Sequence, residues 1–151
     1  MFSEKKEPMY FLRQDSAAPD LPQKLYIEPT SLCNLNCSMC FRNGWIDEHK
    51  GHMDMDLFEK LAGEVAGLSH IEEVVFGGMG EPLYHPQICR IIRLLPRDRK
   101  ISLLTNAVML TPAMSEELIR SGLTQLWVSV DGFERESYET VRRGSLFDRI
   151  L

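Results

Sequence analysis

The chain has 151 residues and a formal net charge of −5, with 44% apolar and 26% charged residues. This composition is that of a soluble globular domain and excludes a chain dominated by disorder. The acidic balance argues against a nucleic-acid partner, because such proteins usually present a basic face. No apolar stretch is long enough for a signal peptide or a membrane span, so a cytoplasmic protein without a membrane partner is expected.

The first part of the chain divides into an arm and the start of a domain. Residues 1–23 mix charged residues with three prolines and one short apolar stretch, which predicts an N-terminal arm. Residues 24–28 alternate and are rich in β-formers, which predicts the first strand. The core domain is therefore expected to occupy residues 24–151.

A run of three cysteines follows this strand: Cys33, Cys37 and Cys40, spaced C-x3-C-x2-C. Three thiolates in so short a loop can converge on one metal centre. Structural zinc usually takes four protein ligands, so the run alone does not complete a zinc site. A 4Fe-4S cluster normally takes one cysteine per iron, so three cysteines would leave one iron open to a cofactor or substrate. The spacing leaves iron–sulfur, zinc and unligated thiols as alternatives.

A zinc site would need a fourth ligand from outside the run, and the candidates are His49, His52 and Cys89. Cys89 lies in an apolar helical pattern, where a thiol usually packs as a small hydrophobe. The two histidines fall in the polar loop after the cysteines, together with Trp45. His49 and His52 are interpreted as loop residues or distant substrate contacts.

Three further pairs of strand and helix are predicted along the chain. Asp56 and Glu59 form the pattern of a capping box for the first helix. Pro86 is placed to start the second helix, Pro96 to end it, and Pro112 to start the third. The later strands are predicted at residues 73–76, 100–104 and 125–130.

Repeated pairs of strand and helix predict a parallel sheet with right-handed crossovers. In such sheets the loops at the carboxyl ends of the strands form the ligand face. The fold class is therefore α/β, with about four units of a TIM-type barrel. A complete barrel needs about 250 residues, and the fourth strand leaves an open edge. The chain is expected to be the N-terminal part of a longer protein, truncated after the fourth unit.

Four motifs, CNLNCSMCF, FGGMGEP, LLTNA and VSVDG, follow one another at the four predicted strand ends. In this order they resemble the radical S-adenosylmethionine (SAM) superfamily from about residue 24 onward. The resemblance implies that Cys33, Cys37 and Cys40 bind a 4Fe-4S cluster whose fourth iron chelates SAM. It also implies that a reducing partner such as ferredoxin or flavodoxin supplies an electron. Cleavage of SAM then gives a 5'-deoxyadenosyl radical that abstracts hydrogen from a substrate.

The resemblance further implies a set of SAM contacts near the cysteines. Gly77, Gly78 and Gly80 would let backbone carbonyls approach a ligand closely, and Glu81 would offer an acceptor to the SAM ammonium. Phe41 is positioned for contact with adenine, although an aromatic residue here can also serve to exclude water.

The later motifs add four candidate contacts. Asn106 resembles the asparagine of a TNG motif in which Ala107 replaces glycine. Because of this departure, the backbone conformation of the local turn is not predicted. Ser129 and Asp131 would bind the ribose hydroxyls or the polar end of SAM, with capping of the next helix as the alternative. Arg142 would reach the SAM carboxylate.

Within the superfamily, the segments FRNGW, FGGMGEPLYHP and LWVSVDG look most like radical SAM maturases associated with tungsten-cofactor oxidoreductases. That resemblance implies cofactor maturation or modification of a peptide or protein. It also implies a cysteine-rich, SPASM-type domain beyond residue 151. The alternative is a non-catalytic iron–sulfur or zinc-binding module, or a catalytically incomplete fragment.

Overall fold

The computed structural model describes residues 21–44 and 50–150, where four strands alternate with four helices. Most of the predicted N-terminal arm, together with Trp45 and His49, lies outside these residues. The elements in chain order are β1 (Lys24–Ile27), α1 (Met55–Gly67), β2 (Glu73–Phe76), α2 (Ile88–Leu94), β3 (Lys100–Thr105), α3 (Pro112–Ser121), β4 (Gln125–Val128) and α4 (Arg135–Val141). Short 3-10 helices lie at Phe41–Gly44, Pro82–Tyr84 and Phe147–Arg149.

The four strands form one parallel sheet in the order β1-β2-β3-β4. In register, Ile27 lies beside Phe76, Phe76 beside Leu103, and Leu103 beside Leu126. The predicted α/β class and parallel arrangement are confirmed. Because all four strands run the same way, the loops that follow them meet at one edge of the sheet.

The two faces of the sheet differ because side chains alternate along each strand. One face packs against the helices, and the rings of Phe58 and Phe76 meet there with centroids 6.1 Å apart. The other face exposes Tyr26 (66%) and Trp127 (54%). Burial stabilises each large core side chain by about 1.5–3 kcal/mol. The core on the helix side includes Ile27, Val74, Phe76, Ile101 and Leu103 with Phe58, Val65, Ile91 and Leu118.

Helix α1 starts two residues earlier than the capping box predicts, so that prediction is wrong. Its N-cap is Asp54, whose carboxylate accepts a hydrogen bond of 2.8 Å from the amide of Asp56. Asp56 therefore lies inside the first turn. Glu59 does not reach back to the cap but forms an ion pair with Arg90 at 2.6 Å.

Other boundaries differ by one or two residues. α2 begins at Ile88 rather than Pro86, since the ring of His85 first accepts the amide of Gln87 at 3.1 Å. β1 ends at Ile27 instead of residue 28, where Pro29 follows without an amide hydrogen for the ladder. β3 runs one residue farther than predicted and β4 stops two residues earlier. None of the helices in the described ranges is both long and apolar enough to cross a membrane.

Candidate functional site

A cavity of about 310 Å³ opens where the loops after the four strands meet. Every predicted site residue except Asp131 lines it, and so do several residues that sequence reasoning had passed over. The predicted residues are Cys33, Cys37, Cys40, Phe41, Gly77, Gly78, Gly80, Glu81, Asn106, Ser129 and Arg142. The unpredicted ones are Leu35, Met39, Arg42, Met79, Leu104 and Thr105.

The cysteine loop is held in place by the C-terminal end of α4 and the residues after it. The amide of Asn36 donates to the carbonyl of Arg143 at 3.0 Å, and the amide of Ser38 donates to the carbonyl of Val141 at 2.9 Å. These two bonds flank Cys37 on both sides. The loop after β1 is thereby joined to the end of α4.

Three N–H groups lie close to the sulfur atoms of two cysteines. The amide of Leu35 is 3.4 Å from Cys33 Sγ, and Asn106 Nδ2 is 3.8 Å from the same sulfur. Arg142 Nη1 is 3.9 Å from Cys37 Sγ. Donors around sulfur are typical of thiolates that bind iron–sulfur clusters, whose potentials depend on such hydrogen bonds.

Arg42 brings a positive charge to the same cavity from the 3-10 helix after Cys40. Its buried Nε has no hydrogen-bond partner among the described residues. Burial raises the pKa of the Cys33 thiol, while the Leu35 amide and the charge of Arg42 act in the opposite direction. An orphaned donor and two guanidinium groups beside three thiols suit an anionic group with sulfur or oxygen acceptors. The donor set thus fits a 4Fe-4S cluster.

Within residues 21–44 and 50–150, no three His, Cys, Asp or Glu side chains are arranged to hold a single metal ion. Cysteines that bind a cluster each ligate a different iron, so they need not meet at one point. Two of the candidate fourth ligands for zinc lie elsewhere. The ring of His52 packs against His85, with centroids 4.9 Å apart, and Cys89 packs against the core.

Glycine is required at two positions of the loop after β2 by contacts within the protein. Gly78 has φ +141°, and a Cβ there would lie 2.7 Å from the carboxyl group of Glu28. A Cβ on Gly80 would lie 1.8 Å from the carbonyl oxygen of Thr30. At Gly77 a Cβ would make only ordinary contacts, the nearest at 3.5 Å. Packing against the loop after β1, and not only approach to a ligand, therefore explains this glycine-rich motif.

Glu81 ties the loops after β2 and β3 together. Its carboxylate accepts hydrogen bonds from the amide of Leu83 at 3.0 Å, from Thr105 Oγ1 at 2.7 Å and from the amide of Asn106 at 2.8 Å. The residue is only 3% exposed. Most of its acceptor capacity is thus used inside the protein, although its side chain borders the cavity.

The turn after β3 takes a left-handed backbone at the position where alanine replaces the glycine of the similar motif. Ala107 has φ +61°, in the left-handed region. An L-residue in that region costs about 1–2 kcal/mol. Asn106 stabilises the turn, because its Oδ1 accepts from the amide of Val108 at 3.0 Å and its Nδ2 donates to Asn34 Oδ1 at 2.9 Å.

Asp131 does not line the cavity but orients a residue that does. Its Oδ2 accepts a hydrogen bond of 2.5 Å from Arg142 Nε and also contacts Nη2 of the same guanidinium. The side chain of Arg142 is 12% exposed. The alternative of helix capping is wrong for Asp131, because the N-cap of α4 is Glu134. Ser129 lines the cavity, and its amide donates to the carbonyl of Thr105 at 2.9 Å.

Comparison with known proteins agrees with this arrangement of motifs. The profile of the radical SAM superfamily matches residues 27–151. The chain belongs to the radical SAM superfamily.

Two curated relatives of this radical SAM chain illustrate the range of similarity. The tungsten-containing aldehyde ferredoxin oxidoreductase cofactor-modifying protein of Pyrococcus furiosus is 39% identical over 108 residues, 71% of this chain and 30% of the relative. The AdoMet-dependent heme synthase of Methanosarcina barkeri is 31% identical over 137 residues, 89% of this chain and 39% of the relative. The chain thus spans less than half the length of these relatives.

A solved structure shares the fold. Native anSMEcpe with bound AdoMet and the Cp18Cys peptide superimposes with a TM-score of 0.70 at 22% identity. The match covers 86% of this chain and 38% of the solved one. The four units described above therefore correspond to a part of the fold of that longer chain.

Proposed function

We propose that this protein binds a 4Fe-4S cluster through Cys33, Cys37 and Cys40, and SAM in the adjoining part of the cavity. The observation that carries the proposal is that the cysteines share one cavity with the motifs of the three later strand ends. The chemistry that such a cluster supplies when bound is one-electron cleavage of SAM to methionine and a 5'-deoxyadenosyl radical, which abstracts hydrogen from the substrate.

The residues around the cysteines would hold the cluster and shield it from water. The Leu35 amide and Asn106 donate toward Cys33, and Arg142 donates toward Cys37, which stabilises negative charge on the sulfurs. Phe41 lines the open side of the cavity and would cover the adenine or keep water out.

The remaining motifs bind SAM in this proposal. The backbone of Gly77, Gly78 and Gly80 offers carbonyl acceptors to the ammonium, and Glu81 fixes that loop while contributing negative charge. Ser129, which lines the same cavity, would bind the ribose hydroxyls.

Arg142 and Asp131 act as a pair in this proposal. Asp131 holds the guanidinium at its Nε and Nη2, which leaves Nη1 directed at the cysteine loop. Arg142 would thereby supply positive charge to the SAM carboxylate beside the cysteine loop. Asp131 contributes to SAM binding through this orientation.

The reaction belongs, in this proposal, to cofactor maturation or to modification of a peptide or protein in the cytoplasm. The name of the Pyrococcus furiosus relative supports the first class, and the peptide in the anSMEcpe structure supports the second. A ferredoxin or flavodoxin would supply the electron, which makes the protein an oxidoreductase. With a net charge of −5, a nucleic acid is not part of the proposal.

Anaerobic reconstitution with iron and sulfide tests the proposal. Electron paramagnetic resonance of the reduced protein should show a cubane signal that changes when SAM is added. Cys37→Ala should lose this signal, whereas Cys89→Ala, which removes a cysteine packed against the core, should keep it. Uptake of zinc with no iron, or a cluster whose signal ignores SAM, would favour the non-catalytic metal-binding module and refute the proposal.

A further inference from the structure

Glu28, directly after β1, is joined to the glycine-rich loop after β2 by two hydrogen bonds. Its Oε1 accepts from the amides of Met79 and Gly80, the second at 2.9 Å. The carboxyl group also lies so close to Gly78 that a Cβ there would be 2.7 Å from it. Glu28 thus holds two successive residues of a loop that lies 51 positions farther along the chain.

These bonds determine which way the peptide groups of the loop point. The N–H and C=O of a trans peptide point in opposite directions, and the peptides of this loop are trans. The amides of Met79 and Gly80 face Glu28, so the carbonyls of Gly78 and Met79 face away from it. Gly78, Met79 and Gly80 all line the cavity, whereas Glu28 is not among its lining residues.

We propose that Glu28 is a positioning residue, which turns the carbonyls of Gly78 and Met79 toward the ammonium group of SAM. The inference rests on the function proposed above. Two N–H groups are held by one carboxylate oxygen, so neither peptide can flip without losing a charge-assisted hydrogen bond. The acceptors are therefore oriented before SAM arrives, and the ligand does not have to order them on binding.

Three substitutions separate the parts of this role. Glu28→Gln keeps an acceptor oxygen of the same reach but removes the charge. Glu28→Asp keeps the charge but shortens the reach by one methylene. Glu28→Ala removes both. Glu72→Ala is the matched control, because Glu72 is a carboxylate just before β2, at the amino ends of the strands and away from the cavity. Its Oε1 accepts a hydrogen bond from Gln23 Nε2 at 3.4 Å.

The test compares two ligands of the reconstituted protein under anaerobic conditions. SAM carries the ammonium, whereas 5'-methylthioadenosine keeps the adenosine and the sulfur but lacks the amino-acid portion. Dissociation constants for both are measured by equilibrium dialysis, with iron content and circular dichroism recorded for each variant. Loss of the carbonyls that accept from the ammonium should weaken binding of SAM but not binding of 5'-methylthioadenosine.

The expected result has three parts. Glu28→Asp and Glu28→Ala should weaken SAM binding about tenfold or more, the size expected for loss of hydrogen bonds to a charged group. Their affinity for 5'-methylthioadenosine and their iron content should match those of the wild type. Glu28→Gln keeps the acceptor but loses the charge assistance, so its SAM affinity should lie between those of the wild type and Glu28→Ala. Glu72→Ala should bind both ligands as the wild type does.

Several outcomes would overturn the inference. Wild-type SAM affinity in Glu28→Asp and Glu28→Ala would show that the loop keeps its carbonyls in place unaided. If Glu28→Gln lost as much SAM affinity as Glu28→Ala, the effect would come from attraction between the Glu28 charge and the SAM ammonium, and not from the orientation of the loop. An equal loss for both ligands would mean a general packing role. Failure of the wild type to bind SAM would refute the proposed function itself, which the other outcomes leave standing.

Discussion

The amino and carboxyl ends of the parallel sheet both gather charged side chains, but they satisfy them differently. At the amino ends, Glu73 lies 2.8 Å from Lys24 and 3.3 Å from Lys100, and it accepts a 2.6 Å hydrogen bond from Ser102. These charges neutralise one another across three neighbouring strands. Beside this cluster, among the described residues, Arg99 Nε just before β3 is buried without a partner, but the same guanidinium pairs with Asp98 through Nη1 at 3.1 Å and borders no cavity of the kind found at the other end.

At the carboxyl ends the polar groups are not all used by the protein. Glu81 is satisfied by its own loops, but N–H donors of Asn106 and Arg142 face thiols, and Arg42 Nε has no acceptor in the described part of the chain. The comparison teaches that a cluster of charges does not by itself indicate a site. Donors left directed at weak acceptors, around an open cavity, distinguish the carboxyl ends from the amino ends.

The largest effect is expected where the carboxyl-end loops pack against each other. Gly80→Ala places a methyl group 1.8 Å from a backbone oxygen of Thr30, which cannot move without shifting the loop after β1. It should lower the free energy of unfolding by about 3 kcal/mol, measured by urea denaturation. Gly77→Ala, whose Cβ has room, should change it by less than about 1 kcal/mol. Equal effects would contradict the packing explanation.

A matched pair of hydroxyl deletions compares the two ends directly. Thr105→Val removes the donor to Glu81 and the acceptor for the Ala107 amide, both buried, and should cost about 2 kcal/mol. Ser102→Ala leaves Glu73 with its two lysines and should cost only about 1 kcal/mol. Urea denaturation of both variants provides the measurement. A larger loss of unfolding free energy in Ser102→Ala than in Thr105→Val would contradict the expected difference between the two ends of the sheet.

The amino end should respond to acid. Hydrogen bonds from Lys24, then Ser102, then Lys100, lower the pKa of Glu73 from 4.5 to about 2. Because the folded-state pKa is depressed, Glu73 stabilises the fold above about pH 4.5 and loses this contribution as the pH falls toward 2. The effect is modest, since Lys24 and Lys100 are 47% and 48% exposed and solvent screens the pairs.

Glu73→Gln isolates that contribution. Its stability deficit relative to the wild type, measured by urea denaturation at pH 7, 4 and 2.5, should shrink steadily as the pH is lowered. A deficit that stays constant across this range would show that packing, and not ionisation, accounts for the role of Glu73.

The smallest effect is expected at the left-handed residue of the carboxyl end. Ala107→Gly relieves backbone strain at φ +61° but gives the unfolded chain more freedom. The net result should be a stabilisation of about 0.5–1 kcal/mol, seen as a raised melting temperature. Val108→Gly, one residue farther along, lacks that relief and should destabilise the protein.

The fold was largely predictable because its signals are local. Apolar, β-rich segments mark β2 and β3, and Thr111 with Pro112 marks the start of α3, where the Thr111 hydroxyl accepts the Met114 amide at 3.1 Å. Gly122 ends that helix at φ +99°, as expected. The capping box failed because Asp54 and Asp56 are both good caps in sequence, and the structure uses Asp54.

The site was predictable as a set of loops but not as a set of contacts. Parallel topology alone brings the loops after all four strands to one edge, so the motifs could be placed together. The bonds of Glu28 to the glycine loop and of Asp131 to Arg142 could not be read from the sequence. They depend on side-chain directions in loops, for which the chain carries no periodic signal. Arg42 was missed because a single arginine after a cysteine resembles any solvated residue.

The bonds that join Asn36 and Ser38 to the C-terminal end of α4 and the residues after it have a consequence for biosynthesis. Cys37 and Arg142 are 105 residues apart, so at about 5–20 residues per second the ribosome adds the second about 5–20 s after the first. During that interval the cysteine loop lacks the segment that holds it, so the three thiols are open to oxygen and to competing metal ions. The cluster site proposed above is complete only after translation has passed Arg143.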